Sequence, residues 1–108
     1  MIDLVANKRD EIAALCRHYY IQRLDLFGSA ATGAFNPETS DLDFVVDLGE
    51  YEDGVARRYC AFIDALENLL GRRVDLVTDP QIRNPYFREA VDEQRVNLYE
   101  ARNRKAVA

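Results

Sequence analysis

The order in which helix-like and strand-like patterns of apolar residues follow one another constrains the fold of this chain more than any other feature. Apolar residues recur at helical spacing in some segments and alternate with polar residues, as in strands, in others. In chain order, these patterns predict a helix at 8–19, a strand at 22–27, a turn at 28–40, a strand at 42–48, a helix at 55–69, a strand at 73–78, a helix from 85 to about 91 and an edge strand at 95–99. This order implies an α/β sandwich built on one small sheet.

The turn between the first two strands is long for a hairpin. It contains the 13 residues from Gly28 to Ser40, and it has room for one helical turn from Ser29 to Gly33. Connections of this length are commonly functional. We therefore expect residues of this turn to contribute to a functional site.

Length and charge limit the functions that the chain can have. Its 108 residues, 48% of them hydrophobic, predict one globular domain spanning 1–108, so an acceptor-binding domain must be another molecule. The chain carries 14 Lys and Arg against 19 Asp and Glu, a formal charge of -5. Because affinity for nucleic acids comes mostly from basic residues that neutralise phosphates, a nucleic acid is not the expected main ligand.

The sequence predicts a cytoplasmic protein without a membrane segment. No run of about 18 apolar residues is present, and the first residues lack the apolar stretch of a signal peptide. Cys16 and Cys60 each lie among apolar residues at helical spacing, so we expect both to be small buried hydrophobic residues rather than a disulfide or a metal pair.

Three aspartates are candidates for a metal site. Asp41 and Asp43 are two residues apart on a strand, so both side chains leave the same face with their Cα atoms about 6.5 Å apart. Asp75 lies in an otherwise apolar strand, where a lone carboxylate is costly unless it is paired or bound to a metal. Three clustered carboxylates would need a cation. Taken alone, however, the Asp41-Asp43 pair is more simply a turn cap followed by an exposed strand residue.

The Gly28-Ser29 pair is a second and independent signal. A glycine that ends an apolar strand and a serine that opens a helical turn present free backbone N–H groups and a hydroxyl to an anion. The ordinary alternative is a tight turn with a serine cap. A phosphate-binding turn beside a dication site is what the chemistry of nucleoside triphosphates requires, because the metal neutralises charge on the leaving pyrophosphate.

The motifs together resemble the minimal nucleotidyltransferase (MNT-type) domain of the DNA polymerase β-like superfamily. The resemblance covers nearly the whole chain and is carried by Leu26-Phe27-Gly28-Ser29, Gly33, Ser40-Asp41-Leu42-Asp43-Phe44-Val45-Val46, Arg73-Val74-Asp75-Leu76-Val77, Asn84-Pro85-Tyr86-Phe87-Arg88 and Val96-Asn97-Leu98-Tyr99. It implies a nucleotidyltransferase fold, an α/β (or α+β) architecture in which helices pack on a small mixed sheet.

The same resemblance assigns roles to six residues. It implies that Gly28, Ser29 and Ser40 bind the nucleotide, with ATP as substrate. It implies that Asp41 and Asp43 bind Mg²⁺, and that Asp75 completes the metal site or activates the acceptor hydroxyl. These three aspartates are therefore both the catalytic and the metal-binding candidates.

The resemblance also implies a partner. Members of the family are often antitoxins of HEPN-type ribonuclease toxins and are thought to transfer AMP to a toxin tyrosine within a hetero-oligomer. The leading prediction is accordingly a protein adenylyltransferase that acts as an antitoxin. Transfer to a small molecule such as an aminoglycoside is disfavoured, because such enzymes resemble a longer arrangement of two domains.

One departure from the family pattern favours an alternative. Where the family commonly has Gly-Ser-Arg-x-Arg-Gly, this chain has Ala30 and Thr32 in place of the arginines. Losing two cations near the triphosphate weakens the case for strong nucleotide binding, unless Arg72, Arg73 or Arg83 substitutes. The alternative is a binding module with the same fold and little or no catalysis, which neutralises the toxin by forming a complex.

Other charged residues have simpler interpretations. We expect Asp25 and Asp47 to face solvent or to support the site from their strands. Arg57 and Arg58 are expected on the solvated side of the long helix, where contact with a partner is the alternative.

Overall fold

The computed structural model describes residues 2–32, 36, 41–49, 52–78 and 85–101, apart from the side chain of Phe87. Its elements in chain order are α1 (Asp3–Ala6), α2 (Arg9–His18), β1 (Arg23–Phe27), α3 (Ser29–Thr32), β2 (Leu42–Asp47), α4 (Val55–Leu70), β3 (Val74–Thr78), α5 (Pro85–Gln94) and β4 (Val96–Glu100). The predicted succession of elements is confirmed, and α1 is an addition that the periodicity did not predict.

The four strands form one sheet in the order β3-β2-β1-β4. Strand β1 pairs antiparallel with both β2 and β4, whereas β2 and β3 are parallel and are connected through α4. Parallel neighbours need such a crossover, because a tight turn can join only antiparallel strands. The predicted α/β class, a small mixed sheet with helices packed on it, is confirmed.

The main core lies on one face of the sheet, beneath α1, α2 and α4. Alternation turns every second strand residue towards these helices, and the helices present their apolar stripes in return. The fully buried side chains of this core are Val5, Ile12, Cys16, Leu24, Leu26, Ala30, Leu42, Phe44, Val46, Phe62 and Leu66. Helix α4 ends as predicted at Gly71, whose φ of 67° is left-handed and therefore suits glycine.

A smaller apolar cluster covers part of the opposite face. Phe27, Val45 and Val91 are buried there, and Val77 packs against them. Val91 belongs to α5, so this helix covers the middle of the second face. Val45, which is 2% exposed, therefore gives β2 an apolar residue on its second face as well.

Asp25 lies on that second face and is fully buried, so the expectation that it faces solvent is wrong. Its carboxylate lies 2.7 Å from Arg95 Nε and 3.0 Å from Arg23 Nε. The side-chain amide of Asn97 donates a hydrogen bond to the same carboxylate at 2.8 Å. The charge of Asp25 is thus matched by cations from β1 and from the junction of α5 with β4.

Two further expectations from the sequence are wrong. Cys60 is exposed on α4, although Cys16 is buried as predicted. Arg58 is not a solvated surface residue, since its guanidinium donates hydrogen bonds to the carbonyl oxygens of Tyr19 and Leu48, each at 3.0 Å. Arg57, its neighbour, is exposed.

No helix within the described part of the chain is long and apolar enough to cross a membrane.

The buried Asp25 generates a prediction about stability. We expect Asp25→Ala to lower the free energy of unfolding by about 3–5 kcal/mol, because it leaves Arg95 as a nearly buried charge without its main partner. Urea unfolding of the purified protein measures this loss. The control is Asp92→Ala, which removes an exposed partner of the same arginine and should cost less than about 1 kcal/mol. Equal losses in the two variants would contradict the prediction.

Candidate active site

The pairing of β2 with β3 places two of the predicted site residues side by side. Asp43 and Asp75 are direct partners in the parallel register, so both side chains project from the second face of the sheet. Asp41 precedes β2 by one residue and is exposed, and alternation places it on the same side as Asp43. The three aspartates therefore converge at one end of the sheet.

Asp43 carries the electrostatic signature of this arrangement. The pKa of the Asp43 carboxyl is raised to about 6 from a usual value of 3.8. Burial is the largest cause of this shift, followed by the negative charges of Asp75 and Asp41. Asp75 itself is exposed, because β3 is an edge strand. The expected cost of burying a carboxylate therefore does not arise at exposed Asp75, and Asp43 bears it instead.

Gly28 lies directly against the side chain of Asp43. Its φ of 73° is left-handed, and a Cβ atom at this position would lie 2.6 Å from Asp43 Oδ2. Since real Cβ atoms do not approach that closely, only glycine lets the backbone run past this carboxylate. The glycine turn and the Asp43 carboxylate, two signals that were independent in the sequence, are thus in contact.

The helical turn after Gly28 forms as the sequence predicts. The carbonyl of Gly28 accepts hydrogen bonds from the N–H groups of Ala31 and Thr32 at 3.1 and 3.2 Å. Ser29 opens this turn and is half-buried. Ser40 lies outside the described residues, as does Gly33.

The two positions that lack arginine differ in their surroundings. Ala30 is fully buried in the main core, and its carbonyl accepts a hydrogen bond from the N–H of Ile2 at 3.1 Å. Thr32 is exposed. Of the arginines considered as substitutes, Arg73 is exposed beside β3, Arg72 is half-buried, and Arg83 lies outside the described residues.

The donor set fits a hard dication, although it does not form a closed protein cage. Within residues 2–32, 36, 41–49, 52–78 and 85–101, no group of three His, Cys, Asp or Glu side chains is gathered closely enough to hold a metal ion by itself. Mg²⁺ is usually held by one or two carboxylates together with substrate phosphates, and it prefers oxygen ligands. Asp41, Asp43 and Asp75 supply such oxygens beside the turn of Gly28.

Two side chains of α4 contact β3 on either side of Asp75, and the sequence did not single them out. Glu67 Oε2 accepts a hydrogen bond from the N–H of Val74 at 3.0 Å. The hydroxyl of Tyr59 donates to the carbonyl of Leu76. Because Tyr59 lies in the apolar stripe of α4, its spacing predicts a core residue and gives no indication of the hydrogen bond from its hydroxyl. No motif in the sequence near Glu67 indicates a contact with β3.

The family model that describes the nucleotidyltransferase domain matches residues 10–98. The chain belongs to this family. The match includes β1, the Gly28-Ser29 turn and all three aspartates of the site. The resemblance read from the motifs is confirmed at this level, and so is the predicted enzyme class of nucleotidyltransferase.

Relatives of this nucleotidyltransferase domain extend the comparison. A candidate protein adenylyltransferase of Methanocaldococcus jannaschii, MJ1379, is 37% identical over 75 residues, which cover 69% of this chain and 74% of the relative. The solved structure of a candidate minimal nucleotidyltransferase is 34% identical with a TM-score of 0.70, and the match covers 88% of this chain and 95% of that one. A toxin–antitoxin structure with AMP-PNP is 26% identical with a TM-score of 0.66, covering 87% and 74% of the two chains.

The raised pKa of Asp43 predicts how stability depends on pH when metal is chelated. Between about pH 4 and pH 6 the folded state binds more protons than the unfolded state, so stability falls as pH rises through this window. At pH 7.5 the ionised carboxylate is destabilising. Asp43→Asn should therefore raise Tm at pH 7.5, by about 4–8 °C for each 1 kcal/mol of burial and repulsion cost that is removed with the charge, and should lose this advantage near pH 4.

Thermal unfolding followed by circular dichroism in EDTA, from pH 4 to pH 8, measures the difference. Asp64→Asn, which neutralises an exposed acid on α4, serves as the control and should change Tm little at either pH. A stabilisation by Asp43→Asn that is the same at pH 4 and pH 7.5 would show that charge repulsion is not its cause.

Proposed function

We propose that this nucleotidyltransferase transfers AMP from ATP to the hydroxyl of a tyrosine in a HEPN-type ribonuclease toxin, and that it acts as the antitoxin of that partner. The observation that carries the proposal is the direct pairing of Asp43 with Asp75 next to the close approach of Gly28. Two acids paired at one end of the sheet suit a site that receives a cation together with a polyphosphate.

In the proposed reaction the acceptor oxygen forms a bond to the α-phosphorus of ATP. The bond from that phosphorus to the bridging oxygen breaks, and pyrophosphate leaves. The tyrosine proton must pass to a base, and Asp75 is exposed on the site face where an acceptor can reach it. Bound Mg²⁺, held by Asp41, Asp43 and the phosphates, would supply neutralisation of the charge that develops on the pyrophosphate.

The turn from Gly28 to Ser40 is the proposed nucleotide-binding segment. The absence of a Cβ at Gly28 leaves room for the Asp43 carboxylate beside the turn. Ser29 contributes its hydroxyl and its backbone N–H to a phosphate. We assign Ser40 to the same role from its place directly before Asp41. The nucleotide then lies between this turn and the acids at the start of β2 and β3.

Two comparisons support the choice of substrate and partner. The relative from Methanocaldococcus jannaschii has a name that specifies a protein as acceptor, and the toxin–antitoxin neighbour is in complex with AMP-PNP, an analogue of ATP. We take the HEPN class of the partner and a hetero-oligomeric complex from the motif resemblance, and the cytoplasmic location stays a prediction from the sequence. No described part of the chain forms a second domain that could present an acceptor.

A second candidate function is neutralisation by binding alone. It is favoured by one observation, the absence of cations at Ala30 and Thr32 in the turn that would hold the triphosphate. A chain that retains the fold and the partner surface but binds ATP weakly would suppress the toxin by covering it.

Label transfer separates the two functions. Asp41→Asn combined with Asp43→Asn should abolish transfer of labelled AMP to the partner, because the remaining carboxylate cannot hold the cation and neutralise pyrophosphate. The fold should survive, since both residues project from the second face and their removal relieves repulsion. The measurement is incorporation of label from α-labelled ATP with Mg²⁺ and the co-purified partner, after equal melting temperatures are confirmed.

Growth rescue is the companion assay. The double Asn variant should fail to rescue cells that express the partner, whereas Arg57→Glu, an exposed change on α4, should retain label transfer. Arg58 is unsuitable for this control because it holds three segments together through its guanidinium. Full rescue by the double variant, with no transfer by the unaltered protein, would favour the binding module and overturn the enzyme proposal.

Restoring a cation to the turn provides a test in the opposite direction. Thr32→Arg should strengthen Mg-ATP binding by about 3–10-fold, which corresponds to roughly 0.7–1.4 kcal/mol, because position 32 is exposed and can direct a guanidinium towards phosphate. Calorimetric titration of ATP measures this gain. Thr32→Gln, of similar length without charge, should bind as the unaltered protein does, and a gain shared by both variants would exclude an electrostatic cause.

A further inference from the structure

Among the strands of the described residues, β3 has one neighbour, so half of its backbone groups need partners from elsewhere. It lies at the edge of the sheet and pairs with β2. The carbonyl of Arg73 accepts a hydrogen bond from the N–H of Leu42 at 3.1 Å, which shows that Arg73 faces β2. The backbone groups of a strand alternate in direction. The N–H and C=O of Asp75 therefore also point towards β2, whereas those of Val74 and Leu76 point towards the free edge.

Helix α4 covers this free edge at the two residues that flank Asp75. Glu67 accepts from the Val74 N–H at 3.0 Å, and the Tyr59 hydroxyl donates to the Leu76 carbonyl. Both side chains are half-buried and lie eight residues apart on the same helix. We call Glu67 and Tyr59 the edge clamp of β3.

We propose that the edge clamp positions Asp75 opposite Asp43, so that Glu67 and Tyr59 are positioning residues of the active site. The need for a clamp follows from charge. The two paired carboxylates repel one another at the first residues of β3, where the strand is held by β2 on one side only. Repulsion would move this end of β3 away from β2. The hydrogen bond from the N–H of Val74, the first residue of β3, to Glu67 opposes that movement.

The clamp acts on geometry without touching the substrate. Its contacts are to backbone atoms at the outer edge of β3, whereas the side chain of Asp75 projects from the second face of the sheet. A displacement of about 1 Å at a reacting group can reduce a rate by about 10²-fold. The part of this inference that concerns catalysis rests on the proposed function, and the part that concerns the position of Asp75 does not.

Carboxyl resonances measure the position of Asp75 in the metal-free protein. In ¹³C NMR spectra of the full chain, Glu67→Ala and Tyr59→Phe should shift the side-chain carboxyl signals of Asp75 and Asp43. Glu67→Gln keeps an oxygen acceptor for the Val74 N–H and should shift them less. Asp64→Ala removes an exposed acid from the same helix and is the matched control, in which both signals should remain in place.

Hydrogen exchange at Val74 distinguishes positioning from simple protection of the edge. If Glu67→Ala accelerates exchange of this amide but leaves both carboxyl signals unchanged, the clamp only shields the strand and the proposal is overturned. Should Glu67→Ala fail to fold, Tyr59→Phe still decides, because it removes only the hydroxyl that donates to the Leu76 carbonyl. Unchanged carboxyl signals of Asp75 and Asp43 in Tyr59→Phe would then overturn the proposal.

Kinetics test the catalytic consequence. With the partner and saturating Mg-ATP, Glu67→Ala should reduce kcat by about tenfold or more with little change in the KM for ATP, and Glu67→Gln should recover most of the loss. Equal kcat in Glu67→Ala and the unaltered protein would overturn the role of the clamp in catalysis. Absence of transfer by the unaltered protein would instead contradict the proposed function, while the NMR result would still establish whether the clamp positions Asp75.

Discussion

The parallel pairing of β2 with β3 is the interaction on which the site depends, because it places Asp43 beside Asp75. Two unit charges 4 Å apart repel by about 4 kcal/mol at an effective dielectric constant of about 20, and the exposure of Asp75 reduces this cost. The opposite face of the same strands buries Leu42, Phe44 and Leu76, each worth about 1.5–3 kcal/mol. Apolar burial beneath the strands therefore exceeds the repulsion above them, and the fold can hold two like charges side by side.

The second face of the sheet carries charge at both ends and an apolar cluster between them. At one end Asp25 is buried against Arg95 and Arg23, so its charge is compensated within the fold. At the other end, burial raises the pKa of Asp43, and the neighbouring acids Asp75 and Asp41 raise it further. A compensated buried carboxylate stabilises the packing of neighbouring elements, whereas an uncompensated one suits a ligand that brings positive charge. The contrast between the two ends supports the proposed site at the end that holds Asp43.

Much of the fold follows from local patterns, whereas the pairing of distant charges does not. Alternation in β1 and β2 and the glycine that ends α4 each depend on a few neighbouring residues, so the sequence predicts them. The aspartates at 41, 43 and 75 could be grouped because their strands were recognised. Asp25 was misinterpreted because Arg95 and Asn97 lie about seventy residues away, and Glu67 was missed because its partner is a backbone N–H. The spacing of apolar residues along the sequence contains no information about the contacts of Asp25 with Arg95 and Asn97 or about the contact of Glu67 with β3.

The small residue at position 30 has a structural cause that bears on the nucleotide turn. Ala30 is fully buried in the core, and its carbonyl accepts the N–H of Ile2 at the start of α1. That helix buries Val5 in the same core. An arginine at position 30 would place a charged guanidinium where these apolar groups pack, and such burial is costly without a partner. The absence of a cation there thus accompanies the docking of α1 against the turn, and packing explains it. Of the two positions without arginine, exposed Thr32 is the one at which a cation would not disturb this core.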